Sequence, residues 1–270
     1  MPRRLLRVLA GAALLALLGG CTSAASPTPT PSAPASTSAL GRLAPGDCLD
    51  ELSGGTFKLS DVASISCTGA HYWEVSEVVA LTGEVYPGEI DLKQQADGDC
   101  AAAFTDYLGA QPGYSRYASS YLVPDETAWA DPTSRRVVCL AGSATQELTA
   151  SIKGDATLFA QVGECTKAEG QDGVAQIVPC STEHDYEAYA EKKWTGKAAP
   201  TKSEADKLYT DVCVAAFTKF IGIDVGRSTY EIAAFLAPSD AWSKISDHRI
   251  VCTVGSTAGG IRGSLKGMKK

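Results

Sequence analysis

Residues 67–81 read CTGAHYWEVSEVVAL, and residues 180–194 read CSTEHDYEAYAEKKW. Each stretch opens on a cysteine, places a histidine four residues later and a glutamate three beyond that. The first then runs into an apolar, β-branched series typical of a strand. The two cysteines are 113 residues apart, and the same shift carries Cys100 onto Cys213, Phe104 onto Phe217, Gly109 onto Gly222, Trp129 onto Trp242 and Cys139 onto Cys252. Over residues 67–154 it gives 25 identities in 88 positions. Upstream, Gly46-Asp47-Cys48 answers Gly163-Glu164-Cys165 at a shift of 117, so the first loop differs in length by four residues. Self-similarity at a fixed period predicts one folded unit present twice, over residues 43–155 and 156–268.

The shared positions predict the elements of that unit. Residues 73–81 form a strand that Gly83 and Pro87 end. Residues 94–108 form a helix with Cys100, Phe104 and Tyr107 or Leu108 on one face and Gly109 as its C-cap. The second copy repeats the helix with Tyr209, Cys213, Phe217, Phe220 and Gly222. Residues 117–123 and 135–141 form two strands joined by a loop around Trp129, and a last strand contains Ile152. The expected fold class is α+β: two tandem homologous domains, each a small, mostly antiparallel sheet with one main helix.

The nine cysteines divide as Cys21 plus four per copy. An even set in each copy of an exported chain reads as two disulfides. Of three connectivities, the favoured one is Cys48–Cys67 with Cys100–Cys139, and Cys165–Cys180 with Cys213–Cys252. The first bridge closes the loop of variable length, and the second joins the helix to a buried strand. Zinc is the competing reading, but the chain has no C-x-x-C pair and the spacings are wide.

The N-terminus is an address. Residues 1–20 carry Arg3, Arg4 and Arg7 before an apolar run, residues 8–18, too short to span a bilayer as a stable helix. The run ends in Leu18-Gly19-Gly20-Cys21, which resembles the bacterial lipobox. That resemblance implies cleavage of a signal peptide over residues 1–20, lipidation of Cys21 and a membrane-anchored mature chain. Residues 21–42 are Ser/Thr/Pro-rich and read as a tether, extended by Pro27, Pro29, Pro31 and Pro34. Loss of the leader with its three arginines takes the formal charge from −7 to −10. An acidic chain is no nucleic-acid binder, and the lipid rather than electrostatics must hold it to a membrane.

The ordered set Gly46-Asp47-Cys48, Cys67/His71/Glu74, Pro87-Gly88-Glu89, Cys100/Phe104, Pro124/Trp129 and Arg135/Cys139 resembles the septum-formation-related domain. The second copy keeps Cys180/His184/Glu187, Cys213/Phe217, Pro238/Trp242 and His248/Cys252, and departs at Glu164 and at Thr201-Lys202. The resemblance implies an exported or membrane-tethered protein of a high-GC Gram-positive bacterium, linked to cell division or envelope assembly, with no established catalytic activity.

Chemistry-bearing constellations are few. His71/Glu74 and His184/Glu187 could ligate a metal or work as base and orienter. Residues i and i+3 of a strand point to opposite faces, however, so both pairs read as structural, with the histidine capping backbone groups beside a disulfide. Trp129 and Trp242 are candidate partner-binding aromatics, or else pack over the nearby disulfide. Arg136 and Arg249 are candidate ion-pair partners of Glu74 and Glu187. Nucleophile elbows and phosphate-binding glycine loops are absent, so no catalytic residue and no cofactor is assigned. The expected function is a non-catalytic, lipid-anchored binding module on the extracytoplasmic face of the cell membrane, with an envelope or division protein as partner. The alternatives are a metal-dependent envelope hydrolase built on the His-x-x-Glu pairs, or a protein that binds a small cell-wall fragment between its two copies.

Overall fold

The computed structural model describes residues 38–52, 59–144, 146–167 and 175–270. The expected leader, Cys21 and nearly all of the tether lie outside the described residues. Ser38 opens the described chain by accepting a hydrogen bond from the Gly41 amide, which caps a short helix, α1 (Ala39–Arg42). Leu40 of this helix is buried in the same core as Leu49, Val75 and Leu140. Residues 39–42, expected to belong to the tether, thus form a helix with Ala39 and Leu40 buried. Serine and alanine composition hid an apolar anchor that burial rewards.

The first sheet takes β1 (Cys48–Leu49), β2 (Trp73–Ala80), β3 (Ala118–Leu122) and β4 (Arg136–Gly142) in the order β1-β2-β4-β3, all antiparallel. Helix α2 (Glu89–Leu108) follows β2, and the short α3 (Glu126–Trp129) follows β3. Leu92, Ala96, Cys100, Phe104 and Leu108 recur every fourth residue along α2 and are buried. Gly109, at φ 77°, ends it. The helix starts at Glu89, earlier than the apolar spacing suggests, because Gly88 turns the chain and Glu89 and Asp91 suit the positive end of the helix dipole.

The second sheet takes β5 (Cys165–Lys167), β6 (Gln176–Val178), β7 (Tyr186–Lys193), β8 (Glu231–Phe235) and β9 (Arg249–Gly255) in the order β6-β5-β7-β9-β8, again antiparallel. Its helical layer is α4 (Lys202–Leu208), a π-helical stretch Tyr209–Val214 and α5 (Ala215–Ile221). Central strands β4 (RVVCLAG) and β9 (RIVCTVG) are buried from their second residue onward, as strands covered on both faces are.

The two sheets share their irregularities. Strand β2 slips register against β4 between Val75 and Glu77, and β7 slips against β9 between Ala188 and Ala190, so Ser76 and Tyr189 are extra residues at matching bulges. Gly142 pairs with Trp73 and Gly255 with Tyr186, where a Cβ would be driven into the carbonyl oxygens of Tyr72 and Asp185. Four disulfides, Cys48–Cys67, Cys100–Cys139, Cys165–Cys180 and Cys213–Cys252, tie loops to strands and helices to central strands. Ile152 lies in no strand; the nearby Leu148 forms an isolated bridge with His71, which Ile261 and His184 repeat.

The described residues pack as one compact unit. Arg116 donates to both carboxylate oxygens of Glu164, at 2.9 and 2.8 Å. Asp247 accepts from the amides of Leu158 and Phe159, and Ser246 donates to the Gly109 carbonyl. The sheets therefore belong to one body, joined by these polar contacts and by Tyr114, which packs with Trp242 and Ile245.

Candidate functional site

The His-x-x-Glu pair of the first sheet is assembled by a bend. His71 sits in an isolated bridge and Tyr72 in a bend ahead of β2, so strand alternation does not apply between His71 and Glu74. Instead of pointing to opposite faces, the side chains meet: His71 Nε2 lies 3.1 Å from Glu74 Oε1. Both residues are buried. His71 Nδ1 lies 2.9 Å from the Gly69 carbonyl, which can only accept, so that nitrogen carries a hydrogen. Glu74 Oε1 also accepts from the Ile152 amide, and Oε2 accepts from Tyr107 Oη at 2.7 Å and Ser151 Oγ at 2.9 Å. Three donors, Tyr107, Ser151 and the Ile152 amide, therefore hold this carboxylate, with the His71 ring packed against it. Burial, followed by the bond to Glu74, pushes the Tyr107 hydroxyl well above the ordinary tyrosine range.

The second sheet repeats the plan with fewer bonds. His184 Nδ1 lies 3.0 Å from the Thr182 carbonyl, and Glu187 accepts from Ser264 Oγ and the Leu265 amide. Phe220 stands where the first half has Tyr107, so one donor is missing. His184 Nε2 is buried without a hydrogen-bond partner among the described residues. In both halves the carboxylate pins a Ser-Ile or Ser-Leu corner of the following chain. The repeated Ser-x-Lys-Gly endings were the one sequence signal for that role.

Potential metal donors do cluster: Cys48, His71 and Glu74 in the first half, and Cys165, Cys180 and Glu187 in the second, within 4.8 Å in each group. All three of these cysteines are in disulfides, whereas a metal binds thiolate. The donor set does not fit a metal centre.

The tryptophans are not exposed anchors. Trp129 is 3% and Trp242 7% exposed. Asp125 caps α3, which brings Trp129 at its end against Tyr86 and lets its indole N–H donate to the Glu84 carbonyl. Trp242 stacks face to face on His248 at 4.0 Å and packs with Ala237 and Ile245. The cluster around Trp242 contains no cysteine. Arg249 pairs with Asp247 and Glu191 instead of Glu187, and Glu74 is filled by other donors than Arg136.

This architecture matches the family model described as septum formation in a single run over residues 45–257, which crosses both sheets. The chain belongs to the septum formation family. It is 33% identical over 134 residues to the protein named "Putative lipoprotein LppN" of Mycobacterium tuberculosis, covering 47% of this chain and 70% of that one. A protein of the same organism named "Uncharacterized membrane protein Rv3835" is 25% identical over 260 residues, 87% of this chain. The chain spans 56% of that longer protein. No solved structure matches. In both halves the glutamate is hydrogen-bonded to the chain that follows, at Ser151-Ile152 and at Ser264-Leu265.

Proposed function

We propose that this septum formation family member is a lipid-anchored envelope protein that works by binding, through two copies of one module carried on a tether. The observation that carries the reading is the occupation of Glu74. Its three donors, with His71 packed beside them, leave the most catalytic-looking pair in the chain committed to holding Ile152 and Ser151 in place. Function then falls to the surface. Matching bulges, bridges and disulfides in the two sheets support descent of residues 43–155 and 156–268 from one unit. Relatives named as a lipoprotein and a membrane protein support membrane association, which the reading assigns to a lipid at Cys21 after removal of residues 1–20, and the four disulfides support an extracytoplasmic location. The family description supports a partner in cell division or envelope assembly.

In-cell crosslinking of the full chain, read by mass spectrometry, tests this. Reproducible crosslinks to division or wall-synthesis proteins are expected. Crosslinks confined to abundant, unrelated envelope proteins would overturn the reading.

A second reading, capture of a small ligand, is favoured by one feature. A groove of about 510 Å³ runs between the sheets, with Tyr72, Glu147, Ile177 and Pro179 along it. Saturable binding of soluble cell-wall fragments, measured by calorimetry, would support it.

A further inference from the structure

Ser76 and Tyr189 are the extra residues at the two matching bulges, and they make opposite use of the same place. In the second half the Tyr189 ring lies 6.1 Å from Phe217 and 5.4 Å from Phe220. It packs in one cluster with Val212 and Ala216, and its hydroxyl donates to the Cys213 carbonyl at 2.7 Å. The side chain fills the space between its strand and its helix. In the first half that space is not filled. Ser76 replaces the tyrosine, and Gly98, Ala102 and Ala103 of α2 face it across a groove of about 430 Å³, within the roughly 300–1,000 Å³ typical of binding pockets.

Two further observations point to an occupant. Ser76 is 8% exposed, yet its hydroxyl has no hydrogen-bond partner among the described residues. Buried polar groups are nearly always satisfied, so an orphan hydroxyl lining a groove marks a missing partner. The rim is acidic: Glu77, Asp99 and Asp106 outnumber Lys153, whose ammonium already lies 5.6 Å from the Tyr107 ring.

We propose that this groove receives a tyrosine side chain from a partner segment that carries lysine or arginine beside it. The aromatic ring takes the position that Tyr189 occupies in the second half, the segment supplies the partner that Ser76 lacks, and the flanking cations meet Glu77, Asp99 and Asp106. The inference rests on the binding-module reading above and names the site and chemistry of that binding.

The test uses the full mature chain and three fluorescein-labelled peptides: Gly-Lys-Tyr-Lys-Gly, the same with alanine for tyrosine, and the same with glutamate for both lysines. Fluorescence polarisation at low ionic strength should show saturable binding of the first and at least tenfold weaker binding of the other two. Ser76→Tyr, which supplies the second half's own side chain, should weaken the first peptide at least tenfold without lowering Tm. Asp99→Lys with Asp106→Lys should do the same, and it decides the matter if Ser76→Tyr fails to fold, since Lys219 already stands at the second half's counterpart of Asp106. Equal binding of the alanine peptide, no saturable binding of any peptide, or full binding by the charge-reversed chain would overturn the site. If cells carrying the charge reversal keep their crosslinks to division proteins, the groove falls and the module stands. If wild type has none, the broader reading falls.

Discussion

Glu74 and Glu187 occupy equivalent positions but carry different loads, and that difference sets their mutational cost. Glu74 accepts from Tyr107, Ser151 and the Ile152 amide, with the His71 ring packed against it. Replacing it with alanine strands these buried donors. Glu74→Ala should therefore cost about 3–5 kcal/mol, since each unsatisfied buried group costs about 1–3 kcal/mol. Glu187 accepts from Ser264 and the Leu265 amide, so Glu187→Ala should cost less, about 1–3 kcal/mol. Tyr107→Phe copies the second half's own residue and removes one bond to a charged group, for about 1.5–3 kcal/mol. Of the three variants, Glu74→Ala should have the lowest urea midpoint. A Glu187→Ala midpoint at or below that of Glu74→Ala would contradict the heavier load assigned to Glu74.

At the scale of elements, two glycines with opposite surroundings make opposite predictions. Gly142 lies where β4 passes the bend at Tyr72, and a side chain there has no room. Gly142→Ala should cost about 1–3 kcal/mol through overpacking. Gly98 lies within α2 at a position where a Cβ meets nothing within 4 Å, so Gly98→Ala should stabilise by about 1 kcal/mol through helix propensity. Thermal unfolding checks both signs. Elements were legible where local pattern decides them: β4 and β9 are short apolar runs repeated at a fixed shift, and Gly109 marks a helix end in any context. Legibility failed where distant residues decide. Ile152 looked like strand material, but a carboxylate 78 residues earlier holds its amide. Leu40 looked like tether because its neighbours are serine and threonine, and only its packing on Leu49 and Leu140 makes it core. His71 and Glu74 were found as residue types. Their contact was missed because one bend breaks strand alternation.

For the molecule as a whole, the anchor and the junction between sheets are separable. Under the proposed cleavage after residue 20, the mature chain carries a formal charge near −10 that an anionic membrane repels, so the proposed attachment rests on a lipid at Cys21. Cys21→Ala should move the chain from the detergent phase to the soluble fraction, and unchanged partitioning would contradict lipidation. The junction depends on Asp247, whose carboxylate holds Leu158, Phe159 and Arg249 together. Burial alone would raise this carboxyl, but hydrogen bonds from Arg249 and from the Phe159 and Leu158 amides outweigh it and hold the group below its ordinary range. A group depressed in the folded state contributes stability that is complete above its unfolded value, about 3.9, and that fades as pH falls through the lower folded value. Asp247→Asn removes that contribution at every pH. The gap in urea midpoint between wild type and Asp247→Asn should therefore be widest at neutral pH and narrow steadily below about pH 4. A gap that stays constant from pH 7 to pH 3 would mean that the anion at Asp247 is not what ties the connecting chain to the second sheet.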